Sequence, residues 1–146
     1  MKTMVLAAAA VAALALAGSS SGAQPPIVAQ PLAVGAFHAT TIHATTGAAV
    51  LDLITVNPGG SFGWHTHGSA VAVVVTKGTL TVFDPAVGKC APFKVSKGQS
   101  FVEPANHIHL ARNDTATPVK LYAFYLGIPK SAAANKPAEQ PAGCNA

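Results

Sequence analysis

The hydrophobic positions of this chain fall in short runs that turn residues interrupt. Runs rich in Val, Leu, Ile, Ala and Phe predict β-strands at 48–56, 71–76, 79–83, 93–95, 100–102, 107–111 and 119–126. Gly, Pro, Asn or Asp residues, which favour turns, separate these runs. After residue 23 no segment has apolar residues at a helical period. Many short strands with frequent turns predict an all-β sandwich or barrel.

The segments on either side of these runs differ in composition. Residues 24–31 contain three prolines and predict an extended N-terminal arm. Residues 32–45 predict a further strand or strand pair. Residues 130–146 are rich in Ala, Pro, Asn and Lys, and we expect this tail to be disordered apart from Cys144. The predicted β-domain therefore spans residues 32–129.

The first 23 residues have the composition of a secretory signal peptide. Lys2 precedes an apolar run at 4–17, and the small residues Ser21, Gly22 and Ala23 follow it. The run is too short to span a bilayer, so we expect cleavage after Ala23, a secreted or extracytoplasmic location, and no membrane association afterwards. An uncleaved membrane anchor is the alternative.

The charged residues and the cysteines limit which classes of function are compatible with the sequence. Removing Lys2 leaves eight Lys and Arg against five Asp and Glu, and 8 − 5 gives a net charge of +3. These charges are scattered and lack interleaved aromatic side chains, which argues against nucleic-acid binding. Cys90 and Cys144 suit one structural disulfide in an exported protein, and two free thiols are the alternative.

His65 and His67 are the first candidate metal ligands. Two residues apart on a strand, their side chains project from one face, roughly 7 Å apart along the backbone, and both could reach one ion at about 2.1 Å. A second apolar stretch carries His109. An isolated pair of histidines is weak evidence, so the surrounding residues matter.

Two glycine-framed segments contain these histidines, GGSFGWHTHGSAVAVVVTKG at 59–78 and GQSFVEPANHIHLARN at 98–113. They resemble the two motifs of the cupin superfamily, G-x5-H-x-H-x3,4-E-x6-G and G-x5-P-x-G-x2-H-x3-N. Every spacing matches. Val71 stands where the family usually has glutamate, and Asn106 stands at a family glycine, where Asn tolerates a positive φ. With the strand pattern, the resemblance implies a single-domain jelly-roll barrel.

The resemblance implies a metal site formed by His65, His67 and His109. Its ion would be a divalent transition metal, Fe, Zn, Mn, Cu or Ni. Strand parity places Val71 and Asn113 on the pocket side. His107 is the candidate catalytic acid or base, with a solvent-facing turn histidine as the alternative. Glu103 is a candidate replacement for the missing carboxylate, although Pro104 interrupts the parity argument.

Two functions follow from this site. The first is an exported metal-dependent enzyme, an oxygenase or another metal-assisted enzyme, that acts on a small molecule. The second is a non-catalytic module that binds a metal or small ligand, and a barrel whose histidines are only packed remains a third alternative. The resemblance also implies a homodimer that pairs through outer sheet faces.

Overall fold

Nine β-strands form in the part of the chain that the computed structural model describes, residues 29–37, 41–86, 90–128 and 134–146. They are β1 (Ala48–Val56), β2 (His65–Thr66), β3 (Ala70–Lys77), β4 (Thr79–Phe83), β5 (Phe93–Ser96), β6 (Ser100–Glu103), β7 (Leu110–Arg112), β8 (Val119–Ile128) and β9 (Lys136–Pro137). Those ranges contain no helix, and so none that could span a membrane. The predicted signal peptide, residues 1–23, lies outside the described residues.

The strands pair antiparallel in three sheets. A four-stranded sheet has the order β1-β8-β3-β6, a three-stranded sheet has the order β5-β4-β7, and β2 pairs with β9. Buried and more exposed positions alternate along β1, β3 and β8, as expected for strands with one face toward a core. The all-β jelly-roll fold that the sequence predicts is therefore confirmed.

The hydrophobic core joins the two larger sheets. Branched side chains of β3 and β8, such as Val73, Val75 and Leu121, belong to the same buried cluster as Leu80 and Val82 of β4. Burial of a Val or Leu side chain contributes about 1.5–3 kcal/mol. This core supports the strands that carry the candidate site residues.

Six of the seven predicted strands lie within two residues of the observed bounds. The predicted strand at 107–111 is wrong in its first half, because β7 begins only at Leu110. Asn106 has a φ of 62°, so the chain still turns there and leaves His107 exposed. This positive φ confirms the expectation for Asn106.

Residues 32–45 form no strand in their described part, where one isolated parallel bridge joins Ala36 to Gln99. The end of the chain also differs from expectation. Although its composition predicts disorder, residues 134–146 run along the domain, and β9 pairs with β2. Hydrogen bonds between backbone atoms depend little on the side chains, so the amino-acid composition of the chain end does not predict the pairing of β9 with β2.

A disulfide fixes the end of the chain. Cys90 and Cys144 are bonded across a sequence separation of 54 residues, and Cys144 is buried. The structure thus contains the disulfide that the cysteine count suggests.

Removing this disulfide should lower the free energy of unfolding. In the chain-entropy model, a loop of this length contributes about 4 kcal/mol. We expect Cys90→Ser, Cys144→Ser and the double variant to be destabilised by similar amounts in urea titrations. Reduction of the wild-type protein should reproduce the loss, and a single variant as stable as the wild type would contradict the prediction.

Candidate metal centre

The two histidine-containing segments meet through their backbones. His65 donates its amide hydrogen to the carbonyl of His109, and His109 donates to the carbonyl of His65, both at 2.9 Å. A third backbone hydrogen bond, 2.7 Å long, runs from Asn106 to the carbonyl of His67. These backbone hydrogen bonds therefore hold two segments that are far apart in sequence at a fixed spacing.

The imidazole rings of His65, His67 and His109 form one buried cluster. Their ring centroids are 4.3 to 5.0 Å apart, and one ring nitrogen of each lies within 4.8 Å of the others. No more than 4% of any of the three residues is exposed. The structure thus brings together the three predicted metal ligands, and they could hold one metal ion.

Backbone carbonyls determine which ring nitrogen faces the centre. Nδ1 of His65 lies 3.0 Å from the carbonyl of Gly63, Nδ1 of His67 lies 2.8 Å from that of Ala134, and Nδ1 of His109 lies 3.0 Å from that of His107. A carbonyl only accepts hydrogen bonds, so each Nδ1 carries a hydrogen and donates it. In a neutral ring, Nε2 then has the free lone pair that a metal ligand needs.

Glu103 places a carboxylate against two of these nitrogens. Its Oε2 lies 3.0 Å from Nε2 of His67, and its Oε1 lies 3.3 Å from Nε2 of His109. Among the described residues, neither Nε2 has a hydrogen-bond partner of acceptable geometry. Buried polar atoms rarely remain unpartnered, and a bound cation would give both nitrogens a partner.

The electrostatics of the cluster favour a positive charge beside Glu103. Burial alone would raise the pKa of its carboxyl, but the interactions with His109 and His67 outweigh burial and lower this pKa to about 2. For His109, burial lowers the pKa, whereas Glu103 raises it, and the net change is upward. Burial lowers the pKa of His65, which favours its neutral, metal-binding form. A proton on a neighbouring histidine or a bound metal cation would neutralise the negative charge of Glu103.

The cavity beside the histidines is small and mostly apolar. Its walls include Phe62, Leu80, Phe101 and Tyr125, together with Asn135 from the end of the chain. About 20 Å³ is open to the centre of a water molecule, and one water needs about 10–15 Å³. The cavity therefore has room for roughly one water.

Burial raises the pKa of Tyr125 to about 12, with smaller effects from the charges of Glu103 and Asp52, so its phenol stays protonated. Its ring packs against His67 at a centroid distance of 5.6 Å. Tyr125 therefore brings a neutral aromatic side chain to the histidine cluster.

His107, the candidate acid or base, does not face the histidine cluster. Its side chain is exposed and lines a separate surface groove with Asp84 and Pro141. Its contribution to the cluster is its backbone carbonyl, which accepts the hydrogen bond from His109. Strand parity does not relate His107 to His109, because β7 begins only at Leu110.

Val71 and Asn113 are fully buried, but neither lines the cavity. Val71 is part of the hydrophobic core. The Asn113 amide donates to the carbonyls of Val56 and Thr117, and its oxygen accepts two hydrogen bonds from Thr115. Asn113 therefore fixes the loop between β7 and β8, which explains its place at the end of the second motif.

Sequence reasoning missed the contribution of the chain end. The carbonyl of Ala134 orients His67, and Asn135 forms part of the cavity wall. The amide of Ala138 also donates to the carbonyl of Trp64, at 2.9 Å. Every residue has a backbone carbonyl, so no residue type in the sequence could indicate that the carbonyls of Ala134 and Trp64 have these roles.

Comparison with known proteins agrees with this fold. A family model described as "Cupin domain" matches residues 52–125, half of the chain. The chain belongs to the cupin family. No curated protein sequence gives a significant match.

Solved structures show the same fold as this cupin. A Klebsiella pneumoniae protein with a double-stranded β-helix domain has a TM-score of 0.51 at 18% identity, over 67% of this chain and 80% of that one. The polyketide cyclase RemF from Streptomyces resistomycificus has a TM-score of 0.53 at 16% identity, over 67% and 66%. A crystal structure of DMSP lyases has a TM-score of 0.54 at 18% identity, over 64% and 46%. At these identities the likeness concerns the fold.

The structural role of Asn113 can be separated from a role in the metal centre. Asn113→Ala removes donors from two carbonyls and should destabilise the protein by about 3 kcal/mol. We expect lower stability in urea titrations, with unchanged metal binding at a temperature where the variant is folded. Asn57→Ala, which replaces an exposed amide, is the matched control. Loss of metal binding from folded Asn113→Ala would contradict this assignment.

Proposed function

We propose that this cupin binds one divalent transition-metal ion through Nε2 of His65, His67 and His109. The observation that carries the proposal is the orientation of the three rings. Each Nδ1 donates to a backbone carbonyl, which leaves Nε2 of each ring for a metal ion. The three rings are buried, and one ring nitrogen of each lies within 4.8 Å of the others. If the three histidines served only to pack the interior, there would be no reason for all of them to carry their hydrogen on Nδ1.

The ligand set is consistent with a borderline metal. Imidazole nitrogen suits Zn, Cu, Fe and Ni, while a carboxylate beside it also suits Mn. When bound, such an ion supplies Lewis acidity or lowers the pKa of a water molecule. The chain itself provides a buried, largely apolar surrounding in which electrostatic interactions are strong.

For this ion, we propose a role in metal-dependent chemistry on a small molecule, of the oxygenase type. Support comes from the polar centre within apolar walls, which is typical of small-molecule sites. Fold neighbours named as a polyketide cyclase and DMSP lyases are also enzymes of small molecules. The alternative is a non-catalytic metal-binding module, and the small volume of the cavity favours it.

We also propose that the protein is exported. The disulfide between Cys90 and Cys144 supports this proposal, because such bonds persist in oxidising compartments. The signal-like composition of residues 1–23 supports it independently.

Metal analysis of the purified protein tests the proposed centre. We expect about one equivalent of a transition metal in the wild type and little in His109→Ala, which loses one of three ligands. His107→Ala is the matched control, because this nearby histidine is exposed, and it should keep the metal. If the wild type remains metal-free after dialysis against Fe, Mn, Zn, Cu and Ni salts, the proposed centre is wrong.

Azide binding to the Co²⁺-loaded protein separates the two candidate functions. An ion with an open position should bind azide, with a saturable change in the visible absorption of Co²⁺, and this favours the enzyme. No spectral change at saturating azide would favour the non-catalytic module. Co²⁺ in buffer at the same azide concentrations is the control for unbound metal.

A further inference from the structure

We propose that Glu103 is the fourth ligand of this metal ion and supplies the carboxylate that the first cupin motif lacks at Val71. The inference rests on the proposed metal-binding function and deepens it. The family usually has this carboxylate in the first motif, at the position that lies on β3 here. In this protein it would come from the second motif, on the neighbouring strand β6.

Strand register places the two positions together. β3 pairs with β6, and Val71 lies directly opposite Glu103. Directly opposed residues of an antiparallel pair project from the same face, with Cβ atoms about 4.5–5.5 Å apart. A carboxylate on Glu103 therefore approaches the histidines from nearly the same direction as one on residue 71.

The distances around Glu103 are those between ligands of one ion. Two ligand atoms about 2.1 Å from an ion lie roughly 3.0 Å apart at a right angle and roughly 3.4 Å apart at a tetrahedral angle. The carboxylate oxygens are 3.0 Å from Nε2 of His67 and 3.3 Å from Nε2 of His109. Glu103 is itself buried, with 8% of its surface exposed.

A hydrogen-bonding role explains these contacts less well. The hydrogens on Nδ1 of His67 and His109 are donated to the carbonyls of Ala134 and His107. In the neutral rings, both Nε2 lone pairs would face the negative carboxylate and repel it. A shared cation turns these repulsions into attractions, whereas protonation of the rings would make Glu103 an ion-pair partner only.

The ligand role has a consequence for affinity. Three neutral imidazoles leave a divalent ion with its full charge in a buried place, which is costly. One carboxylate reduces the net charge of the centre to +1. Loss of this charge should therefore weaken metal binding more than loss of an exposed acid.

Chelator competition with Zn²⁺ tests the proposal. Glu103→Gln keeps the side-chain shape and should weaken Zn²⁺ affinity by at least about tenfold. Glu139→Gln, at an exposed acid near the chain end, is the matched control and should leave the affinity unchanged. The exchange variant Val71→Glu/Glu103→Val returns the carboxylate to the family position and should recover most of the affinity.

The outcomes separate this proposal from the proposed function. If the wild type binds Zn²⁺ and folded Glu103→Gln binds it equally well, Glu103 is not a ligand, although the three-histidine centre stands. A wild type that binds no metal overturns both. If the exchange variant does not fold, the visible spectrum of Co²⁺ decides. Relative to the wild type, the Co²⁺ spectrum should change in Glu103→Gln and stay constant in Glu139→Gln. Identical spectra of the wild type and both variants would overturn the ligand role of Glu103.

Discussion

The paired backbone hydrogen bonds between His65 and His109 are the constraint on which the centre depends. They join two segments that are far apart in sequence and that become neighbours only because of the order of the strands in the sheets. Both bonds are buried between residues that are almost inaccessible to solvent, so breaking them leaves unsatisfied polar groups. The positions of three imidazoles are thus set by the backbone before any ion contributes.

A second set of backbone groups sets the chemistry of those rings. Three carbonyls hold the Nδ1 hydrogens, and one of the three, from Ala134, belongs to the end of the chain. The same segment pairs with β2 and ends near the Cys90–Cys144 disulfide. The disulfide therefore contributes indirectly to the orientation of His67, because it limits how far the segment that contacts this ring can move away.

Much of the fold could be predicted from the sequence because β-branched runs and turn residues are local signals. The three histidines could be predicted because their spacing within two glycine-framed motifs is itself local. For His107 the structure shows the solvent-facing alternative, because residues 107 and 108 precede β7 and strand parity does not apply to them. The chain end could not be predicted, since β9 pairs through backbone atoms and its side chains are exposed. The position of Glu103 depends on the β3–β6 register, which sequence spacing alone does not give.

The same register explains why Val71 is compatible with the proposed metal centre. A glutamate at this position would stand directly opposite Glu103, and like charges directly opposed on a sheet are destabilising. The penalty would be large here, because Val71 is fully buried and Glu103 nearly so. One carboxylate at this pair of positions balances part of the charge of an ion, whereas two would compete for it. Val71 instead packs in the hydrophobic core. With Glu103 as the proposed ligand, the departure from the family motif would move the charge to the neighbouring strand without removing it.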